Sequence, residues 1–445
     1  MKWRFLMSAI LAGAVCGSAD AEKMPQDEDF QFSNKCETPL PYPLPPRGVR
    51  AATVDSKSVA LAWRPPYDSR DIAAYHVYRD FKLVAKCSRN SRAWRDSKIE
   101  PGKTYRYFVR SVNKAGKESA VPGIYAYNGY QSTHGVKVWE KIMAKPWISG
   151  VTFSFFWKDL EPEKGKFNWK YLDDAIALAA KHGKTIGLWP YLPSPWLPDW
   201  MKGRVKTYDL NATRTKSNIP YMLDPVMIKE YNEHLAAIAK RYNGNPHVHY
   251  VLVTLSGTSG MHNNVNPTKE QFDLLRKKFG YTVDAHIKAW QDTFRYYEKI
   301  FPDTRWGYGL QYTNEEMGPG MFVFDWAVKK YGSKVILFNE GLNGQPWMRL
   351  QWKLNGWQLN SEYIADQVNR TTIGYQMLGQ SRGPKGPDTG TNGPLDKVLE
   401  NADVYDANFL EIWTHDINEP AFEARLDAEA DRLGLLKVTI PDEKR

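Results

Sequence analysis

Residues 150–200 read GVTFSFFWKDLEPEKGKFNWKYLDDAIALAAKHGKTIGLWPYLPSPWLPDW. An apolar run through Trp157, a stretch with apolar residues at helical spacing that stops at Gly183, and a second apolar run through Leu192 make one β–α–β unit. Apolar strands alternating with an amphipathic helix argue for βα units and a parallel sheet.

The pattern repeats in both directions. Strands are expected at 125–131, 149–157, 184–192, 247–256, 305–312, 334–340, 371–378 and 408–415, with helical stretches such as 226–244 and 285–301 between most of them. Eight βα units over residues 126–445 satisfy the requirement of a (β/α)8 TIM barrel. An open doubly wound sheet is the alternative, but no glycine fingerprint for a dinucleotide follows the first strand.

Ahead of the barrel the period changes. Between residues 45 and 125, Val59, Leu61 and Trp63 alternate with polar neighbours, as do Tyr75 and Val77, then Tyr105, Tyr107 and Val109. Turn signals at Pro65-Pro66, Pro101-Gly102 and Ala115-Gly116 separate them, which predicts an all-β sandwich. Residues 22–44, polar and then Pro-rich, read as a tail or linker. At the start, Lys2 and Arg4 precede an apolar run to Val15, and Ala19-Asp20-Ala21 supplies a small-x-small cleavage site, so residues 1–21 are expected to be an export signal. The competing reading is a lipoprotein anchored through Cys16, against which stands Val15, where a small residue normally precedes such a cysteine.

The 445 residues are 42% hydrophobic and 25% charged, a balance that excludes a disordered chain, and no later stretch has the roughly 18 uninterrupted apolar residues of a membrane span. The net charge of +10 comes from Lys and Arg scattered among acids. With no dense basic run, and with export, a nucleic-acid partner is not expected. Solubility or attraction to an anionic polysaccharide accounts for the excess. The 17 Trp, 25 Tyr and 18 Phe exceed what a core alone uses, so some rings are expected on a binding surface.

Two resemblances bear on this layout. SVALAWRPP, AYHVYRD and IEPGKTYRYFVRSVNKAGKES resemble strands of a fibronectin type III domain, with Trp63 as its core tryptophan and Tyr105 as its tyrosine corner. The stretch 150–200, with its W-x-x-L-E-P-x-x-G-x-F-x-W pattern, and RYNGNPHVHYVLVTLSG resemble the second to fourth βα units of clan A glycoside hydrolases, particularly microbial β-galactosidases. The resemblance implies carbohydrate as ligand, an Asn-Glu pair with an acid/base Glu closing strand 4, and a nucleophilic Glu closing strand 7. This chain departs at both places: Ser256-Gly257-Thr258-Ser259-Gly260-Met261 follows strand 4, and Gln376 lies on strand 7. Either the chemistry uses carboxylates on other strands, or the barrel binds glycan without cleaving it.

Candidate residues are those at the C-terminal strand ends, where barrel active sites lie. Glu340 closes strand 6 beside Asn339 and is followed by Gly341 and Gly344, room for a ligand near the backbone. It is the candidate nucleophile or base, with Glu315, its neighbour Glu316, or Glu411 as proton donor. Glu411 shares a face of strand 8 with Trp413, where burial would raise its pKa. Structural readings stand beside each: an ion pair for Glu340 and Glu411, a first helical turn for Glu315. Trp157, Trp189, Trp196, Trp200 and Trp413 are candidate sugar platforms, and His262, Asn263, Gln311, Asn339, Gln376 and Asp416 candidate hydroxyl ligands. Glu161 is expected to brace the turn after strand 2. The stretch 379–394 is expected to be a long mobile loop over the same face, in the position of a lid. No metal motif is present and no cofactor is expected.

Cleavage after Ala21 leaves two cysteines, Cys36 and Cys87, which in an exported chain are expected to pair. Intact-mass measurement of the exported protein should give a chain two hydrogens lighter without reductant than with it; free thiols at both positions would refute the pairing.

Overall fold

The computed structural model describes residues 41–127, 137–191, 197–208, 219–255, 269–310, 318–344 and 363–442. Six strands come first: β1 (Arg47–Asp55), β2 (Ser58–Arg64), β3 (Ile72–Arg79), β4 (Lys82–Ser88), β5 (Ala93–Asp96) and β6 (Thr104–Asn113). Alternation directs Val59, Leu61 and Trp63 of β2 against Tyr75 and Val77 of β3 and Tyr107 and Val109 of β6, making the core of a two-sheet sandwich. Trp63 is buried against Tyr75 with ring centroids 5.5 Å apart. The Tyr105 hydroxyl accepts the Glu100 N–H at 3.0 Å, closing the tyrosine corner. Cys87 is buried on β4 and burial raises its thiol pKa, while Cys36 lies outside the described residues.

The barrel strands are β7 (Gly123–Tyr127), β8 (Ile148–Phe156), β9 (Thr185–Tyr191), β12 (Val248–Leu252), β13 (Arg305–Gly309), β14 (Val335–Leu342), β15 (Ile373–Met377) and β16 (Phe409–Trp413); a short ribbon, β10 (Thr207–Tyr208) with β11 (Ile219–Pro220), interrupts the series. All eight pair in parallel and β16 closes on β7. Each falls at an expected strand, although β7 begins at Gly123, so the barrel starts ahead of the expected boundary after residue 125. A second correction concerns the other end. β17 (Leu436–Thr439) leaves the barrel and pairs antiparallel with β6, Leu436 opposite Tyr107 and Thr439 opposite Thr104. Its Val438, with Ile440 beyond it, enters the sandwich core. The barrel therefore does not run to residue 445: the sequence encloses it between two strands of one sandwich sheet. LKVT is too short and too weakly patterned to declare its sheet in advance. Among the described residues no helix is long and apolar enough to cross a membrane.

The barrel interior is filled by rings lying across glycines. A methyl group on Gly187 would come within 2.6 Å of Cζ of Tyr250, and one on Gly374 would meet Phe409 and lie 2.7 Å from Cδ2 of Phe338. A bulge at β12, where Val248 and Tyr250 face consecutive residues Ile186 and Gly187 of β9, turns both His249 and Tyr250 inward. His249 stacks on Tyr125, centroids 5.0 Å apart.

Gly374→Ala should therefore destabilise the barrel by about 1–3 kcal/mol through overpacking against two buried rings. Chemical denaturation monitored by tryptophan fluorescence checks this, and an unchanged midpoint would show that Phe338 and Phe409 can move aside.

Candidate active site

Strand parity sorts the candidates. On β14, Ile336 and Phe338 belong to the luminal cluster and Leu337 to the outer one, so Glu340 continues the inward face. On β16, Phe409 is luminal and Leu410 and Ile412 face the helices, which turns Glu411 inward as well. On β15, Ile373, Tyr375 and Met377 face outward, leaving Gln376 in the lumen.

Glu411 has no exposed surface. Its Oε1 is hydrogen-bonded to the hydroxyls of Thr152 on β8 and Tyr250 on β12, and its Oε2 accepts from the Gln376 amide at 3.0 Å. Burial pushes its pKa up to about 7, the negative charge of Glu340 adds to that rise, and the three donors only partly oppose it. Glu340 is half-buried at the open end of the same lumen. Beside them stands an aromatic wall. Tyr127 packs on Trp189 at 5.1 Å and nearly perpendicular to Trp413 at 4.9 Å, and the Trp413 indole is fixed by donating to the Met377 carbonyl at 2.8 Å. The structure thus brings together Glu340, Glu411, Gln376, Trp189 and Trp413.

Other candidates belong to the framework. Trp157 starts the turn after β8 on the outer side, is 1% exposed, and donates to Glu161 at 2.8 Å, so it offers no face to a sugar. Trp200 stands perpendicular to it at 5.5 Å and donates to the Glu161 carbonyl. Glu161 does brace this turn, its carboxylate also accepting from the Gly165 N–H and bonding His234 Nδ1 at 2.9 Å. Asn339 turns its Oδ1 onto the Gly341 N–H at 2.6 Å, because it has the outward parity of β14. Asp416 is wholly buried and accepts the backbone N–H groups of Ser381 and Arg382. That contact corrects the expected lid: Gly390 N–H to Ser381 O, Asn392 N–H to Gln380 O and paired bonds between Gly383 and Gly386 fold the 379–394 segment on itself, and Asp416 ties it to the barrel. Glu315, Gln311, Trp196, His262 and Asn263 lie outside the described residues, as does the segment after β12 where the clan carries its Asn-Glu pair.

Thr152 and Tyr250 escaped sequence reasoning, which attended to strand ends. The signal was there: Thr152 and Ser154 share the parity of Phe156 in β8, and a polar residue at a luminal position requires a partner.

Residues 127–305 match the β-galactosidase family model of glycoside hydrolase family 42, and residues 44–123 match the fibronectin type III domain. Among curated proteins the chain is 29% identical to β-galactosidase BbgII of Bifidobacterium bifidum over 174 residues, 36% of this chain and 24% of that one. It is 30% identical to exoglucanase B of Cellulomonas fimi over 114 residues, 25% of this chain and 10% of that one. The chain spans about a quarter or less of the length of these relatives. A solved β-galactosidase from the haloarchaeon Halorubrum lacusprofundi aligns over 70% of this chain and 58% of its own, at 12% identity and a TM-score of 0.47. The chain is thus a sandwich that matches the fibronectin type III domain followed by a closed parallel barrel of which residues 127–305 match the β-galactosidase family model.

Proposed function

We propose that the chain is an exported glycosidase acting on an oligo- or polysaccharide at the mouth of the barrel, with Glu340 as nucleophile or base and Glu411 as the carboxyl that supplies the proton. One observation carries the reading: two inward carboxyl groups share one lumen, and the deeper, Glu411, holds its proton up to about 7, in part because of the charge on Glu340. Environments that drive one carboxyl of a pair toward its acid form are how acid and base roles are divided at neutral pH. A glycosidic bond breaks through an oxocarbenium-like state, which a carboxylate stabilises while a protonated carboxyl assists the leaving oxygen. Trp413, part-exposed and packed against Tyr127, offers the flat apolar face against which a sugar ring stacks, while Trp189, only 1% exposed, backs Tyr127 from behind. Glu315 is the alternative proton donor. The family match over residues 127–305 supports carbohydrate as the substrate class, the basic net charge favours an acidic polysaccharide, and the leader supports export.

A second reading rests on Gln376. An amide on strand 7, donating to Glu411, stands where the clan places its nucleophile, which favours a barrel that binds glycan and does not cleave it.

Incubating the purified mature chain with a glycan panel and analysing products separates the two. On a cleaved substrate, Glu340→Gln should lower turnover roughly 100-fold or more while binding and melting temperature stay close to wild type. Full activity in that variant removes Glu340 from the chemistry, and glycan retention without products from the wild type selects the binding reading.

A further inference from the structure

The oxygens of Thr152, Tyr250 and Glu411 form a closed triangle. Thr152 Oγ1 and Tyr250 Oη are 3.1 Å apart, and each is bonded to Glu411 Oε1. The number of protons decides which state of Glu411 fits. If Glu411 is ionised, the two hydroxyl protons can cover only two of the three sides, and one contact is left as two oxygens facing each other with nothing between. If Glu411 is protonated, three oxygens share three protons, and every side of the triangle is one hydrogen bond running in the same sense. The fourth partner fixes which oxygen holds the proton. The Gln376 amide nitrogen can only donate, and it donates to Oε2, so Oε2 is the carbonyl oxygen and Oε1 the hydroxyl.

We propose that Glu411 sits as a neutral carboxylic acid, protonated on Oε1, within a ring of hydrogen bonds that orients it and makes Thr152, Tyr250 and Gln376 its positioning residues. The surroundings agree. Among the described residues, the groups facing Glu411 are Thr152 from β8, Tyr250 from β12, Gln376 from β15, Tyr125 beside it in register on β7, and Glu340 from β14, none of them a cation. At the luminal positions of β9 and β13, Gly187 and Gly307 carry no side chain and instead accommodate the Tyr250 ring. His249, stacked on Tyr125, is held well toward its neutral form by burial and by Arg305 and Arg110. Burial and the Glu340 charge both favour the proton. The part this acid plays in turnover rests on the glycosidase reading; the ring does not, and it can be tested without substrate.

Infrared difference spectra of the full chain, wild type minus Glu411→Gln, should show the carbonyl stretch of a protonated carboxylic acid at pH 6, at about ten protonated to one ionised, and lose it by pH 9. Tyr250→Phe keeps the ring over its glycines and removes one corner of the triangle, so the stretch should persist but move. Thr152→Val should also move it and serves where the first variant fails to fold. A purely space-filling Tyr250 leaves the band in place. Stability adds a second readout. A carboxyl whose pKa is raised in the folded state contributes fully below its unfolded value, about 4.5, and less as pH climbs to about 7, so wild type should lose stability relative to Glu411→Gln across that window and run parallel above it. Absence of the band at pH 6, or a band that neither variant moves, overturns the ring. A band that behaves as described in a chain that cleaves no glycan upholds the ring and removes the glycosidase reading, whereas hydrolysis without the band does the reverse.

Discussion

The constraint on which this barrel depends is the narrowness of its interior. Eight strands leave a lumen that side chains fill completely, and here large rings fill it by lying across strands that contribute no side chain. Tyr250 extends from β12 over Gly187 of β9 and against Gly307 of β13, close enough that a methyl group on Gly187 would overlap it. Only because that ring reaches so far does its hydroxyl meet a carboxylate on β16. The glycines are therefore part of the site, and so is the bulge at Val248–Tyr250 that aims the ring. Packing and polarity are solved together: the residues that exclude water from the lumen are those that give Glu411 its hydrogen bonds, and the exclusion of water makes those bonds matter.

The sandwich is joined to the barrel by more than a linker. Its sheet is completed by β17, which arrives after the last barrel strand. Arg106 of β6, 3% exposed, donates to the Leu435 carbonyl and pairs with Asp427 from the chain's final helix. The turn between β3 and β4 carries Asp80 and Phe81, both at positive φ, a conformation that costs energy for residues with side chains. The Phe81 ring is packed on Phe108 at 5.5 Å, with the Lys184 ammonium 5.0 Å from its centroid. Such a joint holds the sandwich at a fixed place against the barrel.

Much of the fold was legible because its signals are local. Val59, Leu61 and Trp63 announce a half-buried strand by alternation, and Gly183 ends a helix between two apolar strands wherever it is read. What stayed hidden is long-range. That Leu436–Thr439 pairs with β6 depends on a return across more than 300 residues, which four residues of pattern cannot encode. The site was legible to the same degree. Parity placed Glu411 and Trp413 on one inward face, and strand position found Glu340. Parity also assigned Asn339 to the outside, but proximity to Glu340 made it attractive. Trp157 and Asp416 stand at strand ends as ligands do, yet a tryptophan beside a buried carboxylate and an aspartate beside two free backbone N–H groups are equally the materials of a turn.

Gln376 gives the arrangement its logic. A glutamate at that position would set a second carboxyl group about 3 Å from Glu411 and, with Glu340, a third acid into one narrow lumen. Acids that close, with no cation facing them among the described residues, cannot all be ionised, so a carboxylate placed on strand 7 would force protons onto its neighbours rather than yield a nucleophile. An amide of the same size avoids the repulsion and supplies a donor to the oxygen that can accept it. The residue on strand 7 and the acid on strand 8 are thus chosen for one another. If this barrel cleaves glycan, its negative charge is carried by Glu340 on strand 6, and the Gln376 amide spares the buried Glu411 a second carboxylate at hydrogen-bonding distance.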